Sequence, residues 1–398
     1  MFSTRMMSFS FTHTAARTLT TLTSGPVLSS VESGVATVTL NRPDKLNALN
    51  YDMIEVLTPL YAELDASPDV HAIVMRGAGG KAFCAGGDVV SIIDSIADGG
   101  DLHQRFFRDE YALDYAIGTL ATPHVALYNG IAMGGGIGLS VHGAFRVSTP
   151  ATLMAMPETK LGLLPDVGGT HFLPRLPYGV GMYMGLTGAR VKGRDLVYTG
   201  ISTHHFDAAD DDKEPALLAA LQAASSGSHA DVKDALDSVA DVVHDALDQD
   251  AIVAGIEDAF GVSVDTLDAV FGAPDSYHAV EESLKAIAAD PDAPAAPWAA
   301  KTLSILSAMC PMSLLVTFAQ LKAGASLDLA SSFVLEGRMV PRMAYRPDFT
   351  AGVSALLVNK VQIPPEELWS PNNISDISQA DVDAILAPYA NPDDELVL

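Results

Sequence analysis

Cysteine is nearly absent from this chain: 398 residues contain two, Cys84 and Cys310. No disulfide framework is expected, and a reducing compartment fits. Positive charge is scarce as well. Lys and Arg number 23 against 49 Asp and Glu, a formal net charge of −26. Little is available to neutralise a run of phosphates, so no nucleic-acid partner is expected. No apolar run reaches bilayer length, so no membrane partner is expected either. The 11 histidines lack HExxH or CxxC spacing, and no metal site is expected.

What is present is a globular balance, 48% hydrophobic and 18% charged. The length suits one large domain or two ordinary ones with a sizeable core. Two glycine-rich loops dominate. Lys81-Ala82-Phe83-Cys84-Ala85-Gly86-Gly87-Asp88 follows the apolar run Ala72 to Met75, and Met133-Gly134-Gly135-Gly136 follows Val125 to Tyr128. Each leads into a helix-like segment, Asp88 to Ile96 and Gly134 to His142. Loops of this kind point bare amides at a helix start, where the dipole favours negative charge. Two of them converging would make an oxyanion hole for a carbonyl gaining charge.

Other elements follow from periodicity. Val35 to Leu40, Phe145 to Ser148 and Thr152 to Met156 read as strands, and Tyr51 to Ala66 as a helix capped by Asn50. From Asp207 to Asp292 acidic residues and Ala dominate. Ser225 to Ser228 reads as a loop, Val232 to Leu247 as an amphipathic helix with a solvated face, and Asp290 to Pro297 as a hinge. Helical spacing returns at Trp298 to Met309, Ser313 to Ala323 and Leu327 to Met339. Periodicity alone gives no more than an α/β class.

The block Asn41-Arg42-Pro43-Asp44-Lys45-Leu46-Asn47-Ala48-Leu49, the two loops, Met156-Pro157-Glu158, and Gly162-Leu163-Leu164-Pro165-Asp166-Val167-Gly168-Gly169 occur in that order. Together they resemble the crotonase superfamily from about Val35 to Ala189. The later blocks Pro311-Met312-Ser313, Phe333-Val334-Leu335-Glu336 and Asp348-Phe349-Thr350-Ala351-Gly352-Val353 resemble the branch that hydrolyses 3-hydroxyisobutyryl-CoA in valine breakdown. The resemblance implies an α/β, crotonase-like spiral of repeated strand-strand-helix units with a helical C-terminal portion. The chain would divide into a leader-like segment 1–30, a core 31–205 carrying the site, an acidic helical segment 206–297 and a C-terminal portion 298–398.

The resemblance also implies roles. The Gly87 and Gly135 amides match the oxyanion-hole pair. Glu158 matches a catalytic glutamate, acting as a base toward water or attacking the thioester itself. Asp166 and Glu110 match groups beside the substrate. Read on residues alone, Asp166 is a turn former before a glycine pair and Glu110 one acid on an exposed helix face. Hydratases of the superfamily carry a first glutamate three residues after the middle glycine of the triplet, where this chain has Gly138. Enoyl-CoA hydration or isomerisation is thereby disfavoured, and a binding protein that has lost catalysis is the remaining alternative. Cys84 has no neighbour in its block to activate it as a nucleophile. Arg42, Lys45 and Lys81 are candidate contacts for CoA phosphates, or plain surface charges. The acyl-CoA is substrate, and no separate cofactor is expected. Crotonases commonly associate, so a homo-oligomer stays open. Met1 to Val31 has no Asp or Glu but has Arg5 and Arg17 among Ser and Thr. With the family context, this composition points to import into the mitochondrial matrix.

Overall fold

The computed structural model describes residues 19–207, 210–224 and 227–398. The first 18 residues of the leader-like segment lie outside them, as do Ser225 and Ser226 of the expected loop. The rest of that segment is structured: β1 (Val27–Glu32) pairs antiparallel with β2 (Val35–Leu40), Val27 opposite Leu40. A boundary at residue 30 thus falls inside a strand.

Two sheets grow side by side as the chain winds. After α1 (Tyr51–Asp65) come β3 (Ala72–Gly77) and β4 (Ala82–Cys84), then α2 (Val89–Ala97) and α3 (Leu102–Gly118). The next turn is β5 (His124–Tyr128), β6 (Ile131–Met133) and α4 (Gly135–Val141), and the next begins with β7 (Phe145–Ser148) and β8 (Leu153–Ala155). The first strand of each turn joins a seven-stranded sheet, β1-β2-β3-β5-β7-β10-β11. The second joins a four-stranded sheet, β4-β6-β8-β9. Here β9 is Val191–Lys192, β10 His204–His205 and β11 Val242–Val243. The pairings β2–β3, β3–β5, β5–β7, β4–β6 and β6–β8 are all parallel. β5 is buried along its whole length, which explains its continuous apolar run.

Two sequence readings need correction. Ala82–Cys84 was expected within a loop; it is a strand of the second sheet, too short for periodicity to show. The helix expected over Val232 to Leu247 ends at Val239. Ala240 turns extended there, and the β-branched pair Val242–Val243 extends the large sheet beside His204–His205.

The acidic segment has a packing role. Leu217, Leu221, Val232 and Leu236 cover Val35, Val74, Val125 and Val147 on one face of the large sheet. The other face belongs to the main core, which continues without a break into C-terminal residues such as Val316, Phe333, Met339 and Phe349. Among the described residues, no single helix is long and apolar enough to cross a membrane.

Candidate active site

The first loop is held by the Asn41-to-Leu49 block. The buried Asn47 side chain donates to the Ala78 and Ala82 carbonyls and accepts from the Arg42 amide. Leu49 bonds Gly86 O and receives the Asp88 amide. Arg42 is spent internally, on the Ala48 carbonyl and on Asp88 at 3.1 Å. Lys45 and Lys81 are exposed, and none of the three lines the cavity. The cations that do line it are Lys160 and Arg190, which the motif blocks did not single out.

The second loop passes from β6 into α4 through Gly134, at φ +43°. Bare backbone is required here: a Cβ on Gly136 would lie 2.4 Å from the Cys84 carbonyl oxygen. The loops meet, and a Cβ built on Gly135 would lie 3.3 Å from the Gly87 nitrogen. Neither the Gly87 nor the Gly135 amide has an acceptor among the described residues. Both open on a cavity of about 300 Å³, also lined by Phe106, Phe107, Glu110, Glu158 and Asp166.

All three expected carboxylates are therefore at one place. Glu158 begins a 3₁₀ turn after Pro157, is 5% exposed, and has its Oε2 unpartnered. Its Oε1 lies 3.0 Å from where a Cβ on Gly134 would be. Asp166 accepts the Tyr111 hydroxyl on Oδ2 at 2.7 Å. Glu110 is 1% exposed, so reading it as an exposed helix acid was wrong. Its Oε1, likewise unpartnered, would be 2.3 Å from a Cβ on Gly135.

Two further acids were missed. Asp114, one turn beyond Glu110 on α3, is fully buried with both carboxyl oxygens unpartnered. Its Oδ2 would lie 2.2 Å from a Cβ on Gly138. Glu336 accepts the Gly168 and Thr170 amides at 2.8 and 2.9 Å, where the Asp166 loop enters α5 (Gly169–Phe172). A signal for Asp114 existed: Phe106, Phe107, Glu110, Tyr111 and Asp114 recur at helical spacing, so both acids share the apolar face.

Burial dominates the electrostatics. Desolvation, then the Asp166 charge, holds the Glu158 carboxyl well above the usual range. Burial, reinforced by Asp166, Glu336 and Glu158, does the same to Glu110. Asp166 is pushed up to about 6 and Glu336 to about 8, both chiefly by burial. Cys84 is buried and its thiol is pushed up to about 12, which leaves no thiolate for attack. Among the described residues, no group of three or more His, Cys, Asp or Glu side chains could hold a metal ion.

Comparison with known proteins adds the lineage. The family model described as enoyl-CoA hydratase/isomerase matches residues 35–386. The chain belongs to that family. It is 39% identical over 373 residues to the mitochondrial 3-hydroxyisobutyryl-CoA hydrolase of Xenopus tropicalis, covering 94% of this chain and 91% of the relative. With the human protein of the same name it shares 38% over 345 residues, 87% and 84% of the two chains. Among solved structures, a carnitinyl-CoA dehydratase from Mycobacterium thermoresistibile superposes with a TM-score of 0.77 at 32% identity, over 94% of this chain and 99% of the other. An enoyl-CoA hydratase from Rhodobacter sphaeroides 2.4.1 gives 0.78 at 28% identity, over 94% and 100%. The crotonase spiral with its helical C-terminal portion is thus the architecture of this chain.

Proposed function

We propose that this chain hydrolyses the thioester of 3-hydroxyisobutyryl-CoA, and of 3-hydroxypropionyl-CoA, to the free hydroxy acid and CoA in the mitochondrial matrix, as a step of valine breakdown. The observation that carries the reading is the pair of unoccupied amides, Gly87 and Gly135, beside the unpartnered Glu158 carboxyl. The relatives named 3-hydroxyisobutyryl-CoA hydrolase support the substrate, and the word mitochondrial in their names supports the compartment.

The thioester oxygen sits between the two amides, which gain strength as it becomes an oxyanion. Glu158, ionised, takes a proton from water as the water oxygen bonds the carbonyl carbon. Collapse of the tetrahedral species breaks the C–S bond, and the proton passes to the departing thiolate. Direct attack by Glu158 would give a mixed anhydride that water then opens. Asp166, which accepts the Tyr111 hydroxyl, would bind the 3-hydroxyl, and Glu110 lines the same cavity. Lys160 and Arg190 are the proposed phosphate contacts of CoA.

One observation favours a second reading. Glu110 and Glu158 both line the cavity, so two carboxylates are available for enoyl-CoA hydration even though Gly138 carries none. The test is CoA thiol release from the full chain with 3-hydroxyisobutyryl-CoA and crotonyl-CoA, wild type beside Glu158→Gln. Thiol release from the hydroxyacyl substrate, slowed about 10²–10⁴-fold by the substitution, supports the hydrolase. Loss of the crotonyl double bond without thiol release would replace it by a hydratase. Binding of both thioesters without turnover would leave a binding protein.

A further inference from the structure

A second cavity, of about 600 Å³, shares no lining residue with the first. Its charge runs against the rest of the molecule. In a chain with 49 acids and 23 Lys and Arg, this wall carries Arg146, Arg175, His142, His171 and His244, and no Asp or Glu. The acid whose charge acts on His171 is Asp328, which also caps the Ser331 amide.

Arg146 lines this wall. Its Nε and Nη1 donate to the Ile201, Val141 and Gly143 carbonyls. No carboxylate pairs with it among the described residues, and its Nη2 is neither bonded nor sealed in the core. Burial lowers the pKa of this guanidinium, and Tyr128 opposes the shift. Arg175 is exposed and likewise has no carboxylate partner among the described residues; its Nη1 and Nη2 donate to the His171, Gly324 and Leu327 carbonyls. Cations held out by carbonyls alone leave room for an anion, and a carboxylate matches the guanidinium fork.

The histidines restrict the ligand further. His142 Nε2 is 2.8 Å from the Val167 carbonyl and His244 Nδ1 is 2.7 Å from the Val197 carbonyl. A carbonyl can only accept, so each of those nitrogens carries the proton and each ring's other nitrogen is left an acceptor. Arginines that donate beside histidines that accept suit a molecule with both a carboxylate and a hydroxyl. We propose that this cavity is a binding site for a small hydroxycarboxylate anion, separate from the cavity that holds Glu158. The proposal stands on the lining chemistry and does not depend on which reaction the first site performs.

Calorimetric titration of the full chain with lactate tests it, with propionate as the acid lacking a hydroxyl. Ile252, partly buried on the helix Gln249–Phe260, lines the same cavity, and Ile252→Trp would narrow it. The expected result is one lactate per chain, binding propionate more weakly. Ile252→Trp weakens binding by crowding the cavity, and Arg175→Ala weakens it at least about tenfold, one charge-assisted hydrogen bond. Circular dichroism establishes that each variant is folded; if Arg175→Ala is not, Ile252→Trp decides alone. Absence of lactate binding, or binding that survives Ile252→Trp unchanged, would overturn the site. Equal affinity for propionate would overturn the part assigned to the histidines.

Discussion

Gly138 shows what one missing side chain does. At that position a hydratase of the superfamily carries a glutamate, and here the space is taken from the other side by the Asp114 carboxyl and by Val167. The absence is therefore structural as well as chemical. Gly138→Ala should destabilise the protein by about 1–3 kcal/mol, although Ala is the better helix former, because its Cβ collides with Asp114 Oδ2. The double variant Gly138→Ala with Asp114→Ala should recover part of that loss in urea unfolding. Strictly additive losses would show that the two positions do not share the space. The two glycine loops were legible in the sequence because the demand for bare backbone is local. Asp114 was marked only by its helical spacing from Phe106, Phe107, Glu110 and Tyr111, a weaker signal than a glycine triplet because a polar residue on an apolar stripe also fits an exposed helix edge.

Between elements, the helix Leu329–Ala344 reaches into the site. Its Glu336 holds the two amides at the start of α5, and so fixes the loop whose Asp166 lines the cavity. Glu336→Ala should cost about 1–3 kcal/mol by leaving buried amides unpaired. It should also lower kcat/KM, whereas Glu336→Gln, which keeps an acceptor for one amide but turns its NH2 toward the other, should recover only part of the stability. Equal losses in both variants would mean that the carboxylate charge, not the hydrogen bonds, matters there. The Phe333-to-Glu336 block was visible in the sequence, but its job was not, because the contact spans 168 residues of chain. The elements read best beforehand were the long ones with a marked start: α1 opens where Asn50 accepts the Met53 amide. Of the two- and three-residue strands of the small sheet, β8 was legible within Thr152 to Met156; β4, β6 and β9 gave no period to read, and they exist because the spiral brings their partners alongside.

Across the whole molecule, the buried acids around the cavity make stability depend on pH in a definite direction. Glu110, Asp114, Glu158, Asp166 and Glu336 all have carboxyl pKa values raised chiefly by burial. A raised pKa means the folded state holds protons that the unfolded state releases. The stabilisation is complete below the unfolded value, about pH 4, and is lost as pH rises through the folded one. For Asp166 that window closes near pH 6 and for Glu336 near pH 8. The thermal midpoint should therefore fall between pH 5 and pH 8, while kcat/KM rises as Glu158 ionises. Repulsion from the net charge of −26 pushes stability the same way, so the slope alone does not identify its source. Two isosteric variants separate the causes. Asp114→Asn removes one buried acid and should raise stability more at pH 8 than at pH 5. Asp292→Asn removes an exposed acid and should leave the slope nearly unchanged. If both flatten the profile equally, the pH dependence belongs to the surface charge and not to the acids beneath the cavity.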